Sequence, residues 1–370
     1  MTTYIYQRAK WPKFFWDQEL INPLLTEVRH RQGRLLGRME SIGFTLQAEA
    51  NLHTLTLDVL KSSEIEGEIL NPDQVRSSIA RRLGMDIAGM IEVTDRHLEG
   101  VVGMMLDATQ NYDQLLSDER LFSWHAAMFP TGRTGMLKIM VGRYRDNTKE
   151  DPMQVVSGAI GREKVHFEAP VSELLENEMN RLFEWFNKGD VIDPVIKAAI
   201  AHLWFVTVHP FDDGNGRIAR AITDMQLSRA DQNPQRFYSM SSQIRLERKS
   251  YYDVLEKTQK ADLDITLWVE WFLNCLANAL KNTEVTLAVV LKKAKFWEKH
   301  VATILNDRQR KIINMMLDGF DGKLTSTKWA VLNKCSQDTA GRDINDLIHK
   351  NILIKEPGGG RSTRYLLAEI

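Results

Sequence analysis

The chain has 370 residues, of which 43% are hydrophobic, and a formal net charge of −1 at pH 7. This length can bury a sizeable core and favours two or three domains, whereas the balanced charge excludes a global polyanion-binding signature. Cys275 and Cys335 have neither the spacing of metal ligands nor that of a disulfide framework, which favours a reducing compartment. No apolar run resembles a signal peptide or approaches the ~20 residues that cross a bilayer. We therefore expect a soluble, cytoplasmic protein without a membrane partner.

Helical periodicity predominates in the first part of the chain. Apolar residues recur three and four positions apart, which predicts amphipathic helices. The segments with this pattern are residues 19–40, 44–61, 74–83 and 92–111.

Residues 153–170 depart from the helical pattern. Two short β-prone runs flank a turn with Gly158 and Gly161, which predicts a β-hairpin. An isolated hairpin is marginally stable unless it packs or pairs with something. It is therefore either a surface excursion or an edge to which an extended peptide adds a strand.

Two further helices are predicted around residue 209. Asp193 followed by Pro194 is typical of a helix start, and residues 195–208 are apolar almost all round. We expect that helix to be buried at the domain centre. It ends at His209, and the second helix is predicted over residues 218–230.

The segment between these helices, residues 209–220, combines a histidine, two carboxylates, two glycines around an asparagine, and two arginines. A helix N-terminus offers unpaired N–H groups and partial positive charge, and the glycines let its backbone approach a phosphate. The arginines add donors, a carboxylate suggests a divalent metal, and the histidine suggests proton transfer. Each residue alone suits an ordinary turn. Since an ordinary turn needs no such combination, the segment predicts a nucleotide-phosphate site with a general base. Its residues are His209, Asp212, Asp213, Gly214, Asn215, Gly216, Arg217 and Arg220.

Residues 307–370 have a different order of elements. The predicted order is two helices, a third helix over 338–350, a strand, a glycine-rich tip and a last strand over 365–367. This order predicts a winged helix-turn-helix with residues 357–362 as the wing. This region has 11 Lys and Arg against 8 Asp and Glu, a net charge of +3. That weak basic bias is compatible with DNA contact and equally with a protein-interaction module. A helix over residues 284–305 is expected to connect it to the preceding part.

Residues 209–220 match the signature of the Fic family (filamentation induced by cAMP) at every defining position, and the resemblance covers roughly residues 3–280. The stretches 11–17 and 31–33 resemble the small N-terminal domain of one Fic subgroup. Residues 62–67 resemble the family's inhibitory motif, a Ser or Thr followed four residues later by Glu and then Gly or Asn.

The resemblance implies a mainly α fold, an all-helical Fic core with a β-hairpin flap, to which the small C-terminal winged helix-turn-helix is added. The expected domains are a helical accessory domain with the inhibitory motif, the catalytic core, a connecting helix and the winged helix-turn-helix. Their boundaries are 1–90, 91–282, 283–306 and 307–370.

The resemblance also implies an activity, the transfer of AMP from ATP to a Ser, Thr or Tyr hydroxyl of a target protein. His209 would be the general base, Asp213 would hold Mg²⁺, and Asp212 would be a solvated loop residue. The anion hole would be formed by Asn215 and the backbone N–H groups of Gly214 and Gly216. Arg217 would bind the β-phosphate, and Arg220 would bind the γ-phosphate.

The remaining implied roles lie outside this segment. In the inhibitory motif of Ser62, Glu66 and Gly67, the glutamate would pair with Arg220 and misalign ATP. The residues that would line the adenine and ribose pocket are Tyr251, Tyr252 and Gln259, and those of the target-positioning flap are Gln154, Val155, Val156 and Ser157. Relatives often have Asn where this chain has Gln259, and the two tyrosines equally suit a core. We interpret His202 as a buried structural histidine and His166 as an exposed one.

Three hypotheses for the function stay open, and each involves binding partners. The enzyme would be a protein adenylyltransferase, or a Fic enzyme that removes AMP or uses another nucleotide. A third hypothesis is a DNA-binding regulator whose core only senses nucleotide. The expected partners are ATP, a hydroxyl-bearing target protein, DNA or protein at the winged helix, and a second copy in a homodimer.

Overall fold

Helices form most of the computed structural model, with a few short strands, which confirms the expected mainly α class. The structure describes residues 3–87, 89–158, 162, 164–189, 192–317, 319, 322–356 and 363–368. The chain divides into two compact units, Met1–Thr283 and Glu284–Ile370. Among the described helices, none combines the length and apolar character that a membrane-spanning helix needs.

The first unit contains the four early helices that the periodicity predicted. The helix expected at 44–61 continues to Ile65, and the helix expected at 92–111 begins only after Asp95, which caps it by accepting from the N–H groups of His97 and Leu98. The helices of this unit are α1 (Gln18–Glu40), α2 (Phe44–Ile65), α3 (Pro72–Arg82), α4 (Arg96–Gln110), α5 (Asp118–Met128), α6 (Leu175–Asn187), α7 (Pro194–Val208), α8 (Asn215–Asp231), α9 (Met240–Leu246) and α10 (Arg248–Gln259).

Helices α7 and α8 form the centre of this unit and pack against each other. Every residue of α7 from Val195 to Val208 is buried, as its all-round apolar sequence predicted. Helix α8 begins at Asn215, three residues before the expected start at 218. The reason is Gly214, whose left-handed φ of 82° caps the helix, so that the glycine and arginine residues of the motif lie on the first turns of α8.

A buried cluster of charged groups joins α2 to α8. Arg236 is fully buried and donates to Asp224 and Asp231, both on α8. Asp58 of α2 lies beside them and accepts from the hydroxyl of Ser239 at 2.5 Å. Burial, and then the neighbouring charge of Asp224, raises the pKa of Asp58. This cluster fixes how α2 lies on the central helix α8.

The expected hairpin is present as β3 (Gln154–Ser157) and β4 (Lys164–Glu168), which pair antiparallel with a register shift between Val155 and Val156. A smaller hairpin precedes it, formed by β1 (Arg133–Thr134) and β2 (Leu137–Lys138). Phe167 of β4 is buried and packs edge-on against Tyr4 and Tyr6. The hairpin of β3 and β4, called the flap below, is therefore anchored at its base.

His166 provides a second anchor for the flap, and the interpretation of this histidine as merely exposed is wrong. Its Nδ1 lies 2.6 Å from Glu256 Oε2 on α10, and its Nε2 lies 2.5 Å from Ser157 Oγ on β3. Lys260 donates to the other oxygen of Glu256 at 2.6 Å. His166 thus ties both strands of the flap to α10.

Beyond residue 299, the described part of the second unit contains three helices and a hairpin in the predicted order. Its buried core is built around Trp329, Ile312 and Ile344. The helix expected over 284–305 is present up to residue 299, as the C-terminal part of a longer helix, α11 (Thr266–Lys299). The expected wing, residues 357–362, lies outside the described residues, so the winged helix-turn-helix stays a prediction. The remaining elements are α12 (Asp307–Leu317), α13 (Ser326–Leu332), α14 (Gln337–His349), β5 (Leu353–Lys355) and β6 (Tyr365–Leu367).

The close packing of α4 on α5 depends on a glycine. A Cβ atom on Gly100 of α4 would overlap the backbone carbonyl of Ala127 on α5. We expect Gly100→Ala to lower the free energy of unfolding by about 3 kcal/mol, since overpacking against backbone forces the helices apart. Gly33→Ala on α1 is the matched control, because nothing lies within 4 Å of a Cβ there. Urea denaturation measures both, and equal stability of the two variants would contradict the packing argument.

The anchoring of the flap by His166 is testable by hydrogen exchange. We expect His166→Gln to speed amide exchange in residues 154–157 and 164–168 by about tenfold, since a two-stranded hairpin is marginal alone. Lys260→Met removes another partner of the same Glu256 carboxylate without breaking the tie to the flap. Equal exchange in both variants and the unaltered protein would show that His166 does not hold the flap.

Candidate functional site at the N-terminus of α8

His209 lies at the C-terminal end of α7 in a left-handed conformation, with φ of 52°. This backbone turns the chain sharply out of α7 and into the motif. Nδ1 lies 3.2 Å from the carbonyl oxygen of Val206. In the neutral ring Nδ1–H donates to that carbonyl, which leaves Nε2 with a free lone pair. Burial lowers the pKa of His209 to about 4, so the ring is neutral at pH 7.

The loop after His209 is braced by two of its own polar side chains. Asn215 accepts from the N–H of Phe211 at 3.0 Å and donates to its carbonyl at 2.7 Å. Asp212, which was expected to be a solvated loop residue, is half-buried in the loop and accepts from the backbone N–H of Met140 at 2.8 Å. Because the Asn215 amide is engaged in this brace, it is not free to bind an anion in this conformation.

Two buried side chains from other segments hold the same loop. Arg145 donates through Nε to the carbonyl of His209 at 2.7 Å, and its backbone N–H donates to the carbonyl of Pro210. His125 lies 3.2 Å from the carbonyl of Asp213 and stacks on Phe211 at 4.3 Å. Sequence reasoning missed both residues, since each lies more than sixty positions from the motif. No local pattern marks them.

Asp213 is the candidate metal ligand of the site. Its carboxylate is half-buried and accepts from the N–H of Gly214 at 2.5 Å through one oxygen. Among the described residues no group of three or more His, Cys, Asp or Glu side chains could hold a metal ion by itself. A single carboxylate still fits Mg²⁺, which is bound through one or two carboxylates together with substrate phosphates.

The first turn of α8 brings together the glycines and arginines of the motif. Its N–H groups have no partner within the helix, and they lie at its positive end. Arg217 and Arg220 are both buried, at 5% and 2% exposure. Nε of Arg217 and Nη1 of Arg220 have no hydrogen-bond partner among the described residues. Buried unused donors of this kind call for an anionic ligand.

Arg220 is held by the end of α2. Its Nε donates to the hydroxyl of Ser62 at 2.8 Å, and its Nη2 donates to the carbonyl of Ser62 at 2.9 Å. Nη2 also forms the expected ion pair with Glu66, at 2.8 Å. A Cβ atom on Gly216 would collide with the Glu66 carboxylate. Glu66 therefore lies over the first turn of α8, in the place where an anion would bind.

A helix-ending motif fixes Glu66 in this place. Gly67 has a left-handed φ of 87°, its N–H donates to the carbonyl of Glu64, and the N–H of Glu68 donates to that of Ser63. These two bonds define a Schellman motif, in which a glycine follows the last helical residues. Gly67 is thus a helix-terminating glycine and part of the predicted inhibitory motif at the same time.

The next acidic residue, Glu68, was not predicted to belong to the site. Its Oε2 accepts from Arg217 Nη1 at 3.0 Å, and its Oε1 lies 2.5 Å from His97 Nε2. Arg217 also lies over the ring of Phe129, 5.1 Å from its centre. The sequence contained a signal for this second pair. Glu68 lies two residues after Glu66, and Arg217 lies three residues before Arg220, so the expected contact of Glu66 with Arg220 brings Glu68 close to Arg217.

The residues predicted for the adenine and ribose pocket differ in placement. Tyr251 is buried, and its hydroxyl lies 2.8 Å from Nε2 of His202. Gln259 is buried too and donates to the hydroxyl of Thr207 at 3.2 Å. Tyr252 is 36% exposed. Of the three, Tyr252 alone presents a surface to a ligand in this conformation, and the nucleotide contacts of all three stay predictions.

His202 is buried between Thr223 and Tyr251, as the interpretation of a structural histidine requires. Burial, and then the charge of Arg220, lowers the pKa of His202 to about 3. Both ring nitrogens of His202 are hydrogen-bonded, so it has no free lone pair with which to accept a proton. His209, at the C-terminal end of α7, is therefore the candidate base.

Comparison with known proteins identifies the domain. Residues 115–227 match the model of the Fic/DOC family, and residues 4–85 match a domain of unknown function, DUF4172. Protein adenylyltransferase Fic of Nematostella vectensis is 35% identical over 98 residues, 25% of this chain and 21% of that protein. Protein adenylyltransferase fic-1 of Caenorhabditis briggsae is 34% identical over 219 residues, 56% of this chain and 40% of that protein. The matches thus span less than half the length of these relatives.

Two solved structures share the fold. A Fic family protein from Desulfovibrio desulfuricans G20 superposes with a TM-score of 0.54 at 20% identity, covering 96% of this chain and 98% of that one. A Fic domain containing signaling protein from Bacteroides thetaiotaomicron VPI-5482 superposes with a TM-score of 0.50 at 21% identity, covering 75% and 97%. With the motif at 209–220 inside the matched region, the chain carries a Fic/DOC family domain, as its sequence predicted.

Proposed function

We propose that this chain is a protein adenylyltransferase, which transfers AMP from ATP to a hydroxyl group of a target protein. The observation that carries the proposal is the neutral His209 beside the N-terminus of α8, where Arg217 and Arg220 are buried with unused donors. The curated relatives that the chain matches are named protein adenylyltransferases, which supports the same activity.

In the proposed reaction the hydroxyl oxygen of a target Ser, Thr or Tyr attacks the α-phosphorus of ATP. The bond from that phosphorus to pyrophosphate breaks, and the hydroxyl proton passes to Nε2 of His209. The Nδ1–H bond to Val206 keeps Nε2 free for this proton. Such transfer needs positioning and charge neutralisation more than covalent chemistry from the protein.

The phosphate chain would lie along the first two turns of α8. The unpaired N–H groups of the first turn would bind the α-phosphate, Arg217 the β-phosphate, and Arg220 the γ-phosphate. Asp213 would hold Mg²⁺, which would neutralise negative charge on the phosphates of ATP. The guanidinium groups then stabilise the negative charge that develops on the departing pyrophosphate.

Without activation, Glu66 would keep the enzyme inactive. Its carboxylate pairs with Arg220, so ATP and Glu66 compete for one guanidinium group. ATP that binds beside Glu66 would then place its α-phosphate out of line with His209.

The flap would present the target to this site. Its strand β3, with Gln154, Val155, Val156 and Ser157, offers an edge to which an extended target segment can add. A cytoplasmic location, a homodimer, and DNA or protein contact at the predicted winged helix belong to the proposal as well.

Replacing Glu66 tests the inhibitory assignment. We expect Glu66→Gly to raise labelling of protein by α-labelled ATP and Mg²⁺ roughly 10- to 100-fold, the effect of losing one competing charge-assisted contact. Labelling is measured in cell lysate, and mass spectrometry identifies the labelled protein. The matched control is Glu49→Gln, since Glu49 on α2 pairs with Arg76 at 2.9 Å outside the site. If Glu66→Gly and the control label equally little, the inhibitory assignment is wrong.

The lowered pKa of His209 predicts the pH profile of the reaction. A base with a pKa of about 4 stays unprotonated as the pH falls, so kcat/KM of the Glu66→Gly protein should be flat from pH 8 to pH 6. An ordinary histidine with a pKa of about 6.5 would lose half its rate near that pH. Initial labelling rates across this range measure the difference.

The control for this profile removes the base. His209→Ala in the Glu66→Gly background should reduce labelling about 10²- to 10⁴-fold. Undiminished labelling would exclude His209 as the base, and half-loss near pH 6.5 would show that its pKa is not lowered.

A further inference from the structure

The structure places a second carboxylate on the phosphate-binding arginines, independently of Glu66. Glu68 forms an ion pair with Arg217, with an N···O distance of 3.0 Å, and Glu66 forms one with Arg220, with an N···O distance of 2.8 Å. Each acidic residue thus faces a different arginine of the motif. The two arginines are the groups that the proposed function assigns to the β- and γ-phosphates.

Glu68 is held rigidly enough to act as a competing ligand. Its two carboxylate oxygens are divided between two partners, Oε2 with Arg217 and Oε1 with His97. His97 is itself fixed through Nδ1, 2.5 Å from the carbonyl of Met128. The backbone N–H of Glu68 closes the Schellman motif on Ser63, so the residue cannot drift from the end of α2.

The electrostatics agree with a charged pair at this position. Burial acts to raise the pKa of Glu68, but the contact with His97 and the charge of Arg217 outweigh it and lower that pKa. The contact with Glu68 in turn raises the pKa of His97. Arg217 itself is 5% exposed, so it needs an anionic partner in every state of the site.

We propose that Glu68 is a further nucleotide-site residue, which competes with the β-phosphate for Arg217 and so controls which nucleotides the site accepts. The inference rests on the proposed function for the assignment of Arg217 to the β-phosphate. The number of phosphates then decides with which glutamate a nucleotide competes. AMP competes with neither, ADP competes with Glu68, and ATP competes with both Glu68 and Glu66.

Nucleotide binding separates the two glutamates. Isothermal titration calorimetry with AMP and with the α,β-methylene analogues of ADP and ATP, in Mg²⁺, reports affinity without AMP transfer. Glu68→Gln should tighten binding of both analogues about tenfold and leave AMP unchanged, the effect of one lost charge-assisted contact. Glu66→Gly should tighten the ATP analogue alone. Glu49→Gln is the control, since its side chain is 33% exposed, as is that of Glu68.

Two further variants complete the test. Glu68→Ala should give the same pattern as Glu68→Gln, and circular dichroism checks that both fold. In the Arg217→Ala background, Glu68→Gln should bring no gain for either analogue, because the group that is competed for is gone. A gain that persists there, an equal gain with AMP, or no gain with the ADP analogue would overturn the proposal.

The binding results stand apart from the activity. If the variants bind nucleotides as expected and Glu66→Gly labels no protein, the proposed adenylyl transfer fails while the role of Glu68 holds. If Glu66→Gly labels protein and Glu68→Gln binds the ADP analogue no better, the role of Glu68 fails alone.

Discussion

The buried charge of Arg220 is the constraint on which the rest of the site depends. A guanidinium group at 2% exposure is strongly destabilising without an anion beside it, so the site must always supply one. In this conformation the anion is Glu66, helped by the hydroxyl and carbonyl of Ser62. In the proposed active state it is a phosphate of ATP. The same requirement for charge pairing therefore stabilises the fold and defines two alternative occupants of one place.

Glycines at two helix ends place Glu66 and the first turn of α8 next to each other. Gly214, with a left-handed conformation, precedes α8, and Gly67, also left-handed, follows α2. The end of α2 thereby brings Ser62 and Glu66 to Arg220 on α8. The absence of a side chain at Gly216 leaves room for a carboxylate over the helix N-terminus. The meeting of these two termini is what the proposed inhibition by Glu66 requires.

The apolar run of α7 and the motif on α8 are encoded locally, and both were expected from the sequence. The contact of Glu66 with Arg220 joins residues 154 positions apart, and it was expected from the family resemblance alone. The residues that were not predicted depend on other distant pairs. Arg145 and His125 contact a loop more than sixty residues away. Periodicity and motif spacing carry no information on such meetings, which only the tertiary fold creates.

The buried cluster around Arg236 limits how Glu66 can leave Arg220 in the proposed function. Because Asp58 and its neighbours bury α2 in the core beside α8, the segment that ends in Glu66 is not a detachable arm. Removing it would expose the core and unfold the unit. In the proposed function, activation is therefore a rearrangement of one side chain or one helix turn, a change small enough for a bound nucleotide or a docked target to drive.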